Sequence, residues 1–163
     1  MNWTSIDIGA TKAGVAEWYE NDLIRTYVIK PCGTKGAYWK GQDKVGSKFI
    51  AWQIVAITSE LLIMERGAGH RPNVINGQAH LRGYIAAVCD AIETETLHKE
   101  VNVSEWKRVI KEDQGISWPK DSARQKVLAI KLVKELYEVD VTEDEADAIL
   151  LGHASIRMGL NKL

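Results

Sequence analysis

Four carboxylates in this chain have the types and spacing of a hydrolytic metal centre. Asp7 closes the apolar run Trp3-Thr4-Ser5-Ile6, and Glu65 closes Leu61-Leu62-Ile63-Met64. Asp144 and Asp147 lie three apart in Glu143-Asp144-Glu145-Ala146-Asp147-Ala148-Ile149-Leu150-Leu151, which reads as the start of a helix. Acids at strand ends and on one helix face can converge on hard divalent cations. Mg²⁺ takes oxygen ligands and keeps waters that substrate phosphates can replace. The chemistry this predicts is phosphodiester hydrolysis.

Each acid also has a plainer explanation. Asp before Gly often shapes a turn, and acids in the first turn of a helix favour its dipole. Glu65 fits such an explanation least well. An acid that ends so apolar a strand is expected to be partly buried, and a buried carboxylate needs a partner, a proton or a metal. Helix geometry sorts the C-terminal acids. At about 100° per residue, Asp144 lies ~60° and Glu143 ~40° from Asp147, so either can partner it, while Glu145 points away. His153 lies ~120° from Asp147 and further along the axis, which makes it a core or surface histidine rather than a ligand.

The elements that must position these groups follow from pattern. Trp3–Ile8, Ala13–Tyr19 and Leu23–Ile29 read as an antiparallel meander, with a turn at Glu20-Asn21-Asp22. Pro31–Gly46 reads as a loop and Val45–Ser59 as containing a helix. Leu61–Met64 reads as a short buried strand and Gly67–Asn76 as a polar loop. Gly77–Ile92 reads as a helix with Ala79, Leu81, Tyr84, Ile85 and Val88 on its apolar face. Thr96–Val103 reads as a fifth strand, and Ser104 as the cap of a short helix. Asp121 caps a helix to about Tyr137, apolar at Val127, Ile130, Leu132, Val133 and Leu136. Thr142 caps the last helix, with Glu145 completing a capping box. The order βββαβαβααα predicts one α/β domain over residues 1–163 with a mixed sheet.

Composition is ordinary for a globular protein, and 163 residues suffice for one real core. A net charge of −1 neither announces nor excludes a nucleic-acid partner, because the distribution of charge matters more than its sum. Cys32 and Cys89 form no C-x-x-C pair and read as reduced thiols in a reducing compartment. No secretory signal opens the chain, and the apolar stretch Phe49–Met64 is too interrupted to span a membrane.

Cations gather in two sets. The loop holding Lys35, Tyr38, Trp39 and Lys40 is basic, glycine-rich and aromatic. It reads either as a solvated loop or as an arm whose cations meet phosphates and whose rings stack on unpaired bases. The second set is Lys107, Arg108, Lys111, Lys120, Arg124 and Lys126, either a solvated helix face or a wall of the acids' groove. His70 follows Glu65 closely enough to approach a scissile phosphate.

Taken together these residues resemble the RuvC family of Holliday-junction resolvases, almost end to end. Asp7, in I-D-I-G-x-x-x-x-G-V-A, resembles the family's first catalytic acid, and Glu65 its second. Gly77-Gln78-Ala79 with Arg82-Gly83 resembles the helix that follows. Trp106-Lys107 and Lys120 resemble its functional lysines, and Asp144-x-x-Asp147-Ala148 its closing motif.

The resemblance implies an RNase H-like fold with a five-stranded mixed sheet, an antiparallel meander plus two parallel strands, flanked by helices. It implies a homodimer that binds four-way junction DNA in the cytoplasm of a bacterium or a phage-infected host. Asp7, Glu65, Asp144 and Asp147 would hold two Mg²⁺ ions, for which Mn²⁺ could substitute. Lys107 and Lys120 would offset phosphate charge, with Lys35, Tyr38, Trp39, Lys40, Arg66, His70, Arg82, Arg108 and Arg124 contacting DNA. One departure stands out. The family often carries a Phe soon after the second acid, where this chain has Arg66-Gly67-Ala68-Gly69-His70, as viral members do. The wedge is then either missing or supplied by Tyr38 or Trp39, and the resemblance to viral members implies looser selectivity that extends to flaps and forks. The Ile6–Lys12 turn is also similar to that of sugar kinases and actin-like proteins, which need two such domains. The YqgF-type RNA-processing nucleases begin similarly but lack an acid placed like Glu65.

Overall fold

The computed structural model describes residues 1–8, 12–30, 60–66, 72–91 and 96–162. The arm with Lys35, Tyr38, Trp39 and Lys40, the helix expected in 45–59, and His70 lie outside them. Five strands form one sheet: β1 (Asn2–Ile8), β2 (Ala13–Tyr19), β3 (Asp22–Ile29), β4 (Leu61–Arg66) and β5 (Leu97–Asn102). Their order is β3-β2-β1-β4-β5. The β1–β2 and β2–β3 pairs are antiparallel, whereas β4 lies parallel to both β1 and β5. This is the expected mixed sheet of a meander plus two parallel strands. Four helices accompany it among the described residues: α1 (Pro72–Ala91), α2 (Val103–Gln114), α3 (Ser122–Tyr137) and α4 (Glu143–Arg157).

Side chains alternate across a strand, and that alternation divides the core. Trp3, Ala16, Trp18, Leu61, Ile63 and Val101 face a cluster shared with α2, α3 and α4. Ile6, Ile8, Ala13, Val15, Leu62 and Met64 face the other side, where Ile85 and Cys89 of α1 join them.

Helix α4 is fixed to the first face by polar as well as apolar contacts. The buried Ser5 hydroxyl donates to the Ala148 carbonyl at 2.7 Å and accepts from Trp18 Nε1 at 2.8 Å. Both polar groups are therefore satisfied inside the core. Trp18 stacks on Trp3, with ring centroids 5.2 Å apart, and lies flat against Gly152. A Cβ added at Gly152 would sit 2.6 Å from Trp18 Nε1 and still closer to its ring carbons. Gly152→Ala should therefore overpack this contact and lower stability by ~1–3 kcal/mol, at about 2–4 °C of Tm per kcal/mol. An unchanged thermal melt would mean that α4 does not seat on Trp18 as described.

Several boundaries differ from expectation. Helix α1 begins at Pro72 rather than Gly77, since proline suits a first helical turn whose N–H groups have no partner. Its Ala79 is exposed rather than on the apolar face. Ser104 is not a cap, because α2 already starts at Val103 behind Asn102. Parallel pairing of β4 with β5 runs to Arg66↔Asn102, so the strand passes directly into the helix. Val127 is 69% exposed, while Ala129, Leu132 and Val133 carry the buried face of α3. The expected caps of the last two helices are present. Asp121 accepts from the Arg124 backbone N–H at 2.9 Å, and Glu145 accepts from the Thr142 backbone N–H at 2.9 Å. No helix among the described residues is long and apolar enough to cross a membrane.

Candidate active site

Strand alternation brings the first two acids together. Asp7 continues the Trp3–Ser5 face of β1, and Glu65 continues the Leu61–Ile63 face of β4. The parallel register runs to Ile6↔Met64, so the next residues along, Asp7 and Glu65, emerge side by side at the C-terminal ends of neighbouring strands. The face they share is the one on which α4 packs, and α4 delivers Asp147 and Asp144 in its first turns. Gly14, opposite Asp7 in the register, makes this approach possible. A Cβ there would collide with the Asp144 carbonyl group, 2.5 Å from its carbon.

The acids interact strongly. Glu65 is only 9% exposed. Burial raises its pKa to about 7, with Asp147 adding to the rise, while the Trp106 hydrogen bond and Lys107 oppose it. Trp106 Nε1 donates to Glu65 Oε2 at 2.9 Å and fixes the carboxylate's orientation. Burial likewise raises Asp147 to about 6, against the pull of Lys107 and with repulsion from Asp144. Asp7 is raised well above the usual carboxylate range by burial and by facing Glu65, Asp147 and Asp144, with Lys107 again opposing.

These directions set a pH dependence. A carboxyl group whose folded pKa exceeds its unfolded value leaves the folded state with more bound protons between the two values. Stability therefore falls as pH rises through that window. For Glu65 the window runs from 4.5 to about 7, and for Asp147 from 3.8 to about 6. The metal-free protein should be more stable at pH 5 than at pH 8, by ~2–4 kcal/mol at 1.36 kcal/mol per pKa unit. Thermal melts in EDTA across that range check this. A Tm that rises with pH would contradict the burial of these acids.

Asp144 is tied differently. Its Oδ2 is buried without a hydrogen bond of regular geometry and lies against the Lys12 ammonium as an ion pair. Glu143, the alternative partner of Asp147, is about half exposed and bonded to Lys126 Nζ at 2.5 Å. Asp144 and Glu143 both raise the proton affinity of Asp147, and Asp144 raises that of Asp7 as well.

Lys107 is the cation common to the centre, opposing the upward shifts of Asp7, Glu65 and Asp147 alike. Its ammonium lies 5.3 Å from the Trp106 ring centroid and 5.2 Å from that of Trp118. It donates to Gln125 Oε1 at 2.9 Å. Cation–π contacts of this kind contribute ~0.5–2 kcal/mol each.

The other expected site residues are dispersed. Lys120 is exposed in the turn before α3. Arg108 is exposed and paired with Glu112 at 3.3 Å, and Arg124 is exposed in the first turn of α3. All three belong to the layer that covers the acids' face. Arg66 and Arg82 do not. Arg66 follows Glu65 on β4 and so points to the opposite face. There Arg82 Nε pairs with Glu100 at 2.9 Å and Arg66 Nε lies 3.9 Å from the same carboxylate. Both arginines, expected to contact DNA, thus lie on the sheet face opposite the acids. His153 is no ligand to this cluster. Its ring nitrogens meet the Tyr137 hydroxyl at 2.7 Å and Asp113 at 3.1 Å.

A hard divalent cation suits this donor set. Several carboxylates from three elements are buried together, and their raised proton affinities mark unmet demand for positive charge. Among the described residues, however, no three candidate ligands are close enough to form a ready cage. Lys12, Trp118 and Gln125 were missed as site residues from sequence, and Lys126 was read only as one of the second set of cations. Lys12 sits five residues beyond Asp7 in the sequence, and only the docking of α4 reveals its role.

No protein-family model matches the sequence, and no curated protein matches it. Solved structures do. RuvC of Thermus thermophilus in complex with a Holliday junction substrate superposes with a TM-score of 0.63 at 14% identity, over 98% of this chain and 96% of that one. A second Thermus thermophilus RuvC structure gives 0.63 at 17% identity, over 98% and 97%. Fowlpox virus resolvase, in complex with substrate Holliday junction DNA, gives 0.56 at 16% identity, over 96% and 99%. This chain therefore has the RNase H-like fold of RuvC and of the fowlpox virus resolvase, along nearly its whole length.

Proposed function

We propose that this chain is a Mg²⁺-dependent, structure-selective DNA endonuclease that resolves four-way junctions by paired nicks, acting as a homodimer of one-domain subunits. The observation that carries the reading is the placement of Asp7 and Glu65 at the ends of neighbouring parallel strands, on the face that α4 covers with Asp144 and Asp147, so that burial and neighbouring negative charge raise the proton affinities of Asp7, Glu65 and Asp147. The resolvase fold supports it.

Asp7, Glu65, Asp147 and Asp144 would hold the cations, with Asp144 released from Lys12. Bound there, divalent cations supply a water of lowered pKa and balance charge on the departing oxygen. The chain's own residues do the rest. Trp106 fixes one Glu65 oxygen. Lys107 offsets the charge of the phosphate as it grows in the transition state. Lys120, Arg108 and Arg124 meet the flanking phosphates from the same layer. A two-fold dimer would present two equivalent centres to a two-fold symmetric junction, which accounts for paired nicks.

The test compares a four-way junction, a flap, a linear duplex and an RNA–DNA hybrid, each with Mg²⁺, Mn²⁺ or EDTA. Metal-dependent cutting that strongly favours the junction is the expected result. Equal cutting of all branched forms would replace resolution with general debranching, and preference for the hybrid would redirect the reading to RNA.

A further inference from the structure

Lys107 is held in an unusual way for a lysine among acids. A lysine side chain is a flexible four-carbon stem ending in a point charge with three donors. Left to itself beside Asp7, Glu65 and Asp147, such an ammonium would fold down onto one carboxylate. Its hydrogen bond goes instead to a neutral amide, Gln125 Oε1, at 2.9 Å. Two indole faces flank it, Trp106 and Trp118, at 5.3 and 5.2 Å.

The holders are themselves held. Gln125 Nε2 donates to the Pro119 carbonyl at 2.7 Å, so the amide presents its oxygen to the lysine. Trp118 Nε1 donates to the Lys107 carbonyl at 2.8 Å, tying the 116–119 segment to α2. Trp106 meanwhile donates to Glu65, so one indole sets both an acid and the cation. The edge-on packing of Trp106 on Trp118, with centroids 5.9 Å apart, closes the arrangement.

We propose that Trp118 and Gln125 are positioning residues that, with Trp106, hold the Lys107 ammonium beside the carboxylates but off them, leaving its remaining N–H donors for the scissile phosphate. The proposal rests on the nuclease reading above and adds to it two residues that act through the Lys107 ammonium rather than on phosphate or metal. A neutral acceptor is the point of the design. A carboxylate at position 125 would form an ion pair with the ammonium and consume the charge that the phosphate needs.

The test uses the full chain with Gln125→Leu, Gln125→Glu and Trp118→Phe, each alone and on a Lys107→Ala background. Single-turnover junction cleavage, junction affinity and thermal melts are measured for all. Gln125→Leu should slow cleavage about tenfold, with junction affinity and Tm little changed. Gln125→Glu keeps an acceptor for the Lys107 ammonium but loses the Nε2 bond to the Pro119 carbonyl, so its thermal melt reports the structural cost, and the proposal expects its cleavage to be as slow as that of Gln125→Leu. Trp118→Phe keeps a ring but loses the bond to the Lys107 carbonyl, and an intermediate rate is expected. On Lys107→Ala none of the three should slow cleavage further. Full additivity there, or a wild-type rate for Gln125→Glu, would overturn the proposal.

A readout independent of cleavage is the ε-methylene signal of Lys107 in ¹³C-lysine-labelled protein, assigned by its loss in Lys107→Ala. Two flanking indoles should shift it upfield, and Trp118→Leu should return it towards the positions of exposed lysines. An unshifted signal in the wild type would overturn the cage itself. If the wild type cut no branched DNA while the signal was shifted, the nuclease reading would fail and the cage would stand.

Discussion

Asp7→Asn should abolish metal-dependent cleavage while leaving folding and junction binding intact. Asp7 ends β1 at the centre of the cluster and feels Glu65, Asp147 and Asp144 together. An amide of the same shape keeps the packing but loses an anionic oxygen donor and one negative charge. Removing a single electrostatic stabiliser from a catalytic centre costs ~10²–10³-fold in rate, and the loss of a donor from a cluster that already lacks a closed cage should reach the upper end. The same substitution should raise the Tm of the metal-free protein at pH 8, since it removes a charge that burial and three like neighbours all penalise. A gain in stability with a loss of activity is the mark of a functional site kept at a structural cost. Near wild-type cutting in Mg²⁺ would show that Asp7 is a turn residue.

Gly14→Ala should be damaging in both respects. Gly14 lies opposite Asp7 on β2, and the backbone of Asp144 occupies the space its Cβ would need. The obstruction is main chain, fixed at the N-terminus of α4, and no rotamer change can relieve it. Either β2 or the helix must shift, and the Ser5–Ala148 and Trp18–Gly152 contacts resist that. The expected loss is about 3 kcal/mol, at the upper end for overpacking, or roughly 6–12 °C of Tm. Cleavage by the protein that remains folded should fall ~10²-fold, the scale of a 1 Å misplacement of catalytic groups, because Asp144 and Asp147 move with the helix. Melts and single-turnover rates below the transition separate the two effects. Wild-type values for both would mean that α4 does not dock where it is placed here.

The acid cluster was legible in the sequence because its logic is local. An acid continuing the buried side of an apolar strand must face the same layer as its neighbours, which is how Asp7 and Glu65 come to face α4. The i, i+3 spacing put Asp144 and Asp147 near one another on a helix. The caps at Asp121 and Thr142 are also local and were readable. What failed to show was either tertiary or set by a neighbouring element. Lys12 and Gln125 look like ordinary polar surface until α4 and α2 dock on them. The pairing of Arg82 and Arg66 with Glu100 on the face opposite the acids is tertiary, although period two alone already turned Arg66 away from Glu65. The start of α2 at Val103 is fixed by the pairing of β5 with β4, which no capping signal at Ser104 reports.

The most direct test of the central claim is to map incisions on a synthetic four-way junction with each strand end-labelled in turn, in Mg²⁺ and in EDTA. The account predicts two ligatable nicks, symmetric across the branch point, present in Mg²⁺, absent in EDTA and absent with Asp7→Asn. Tight junction binding with no metal-dependent incision on any strand would contradict it.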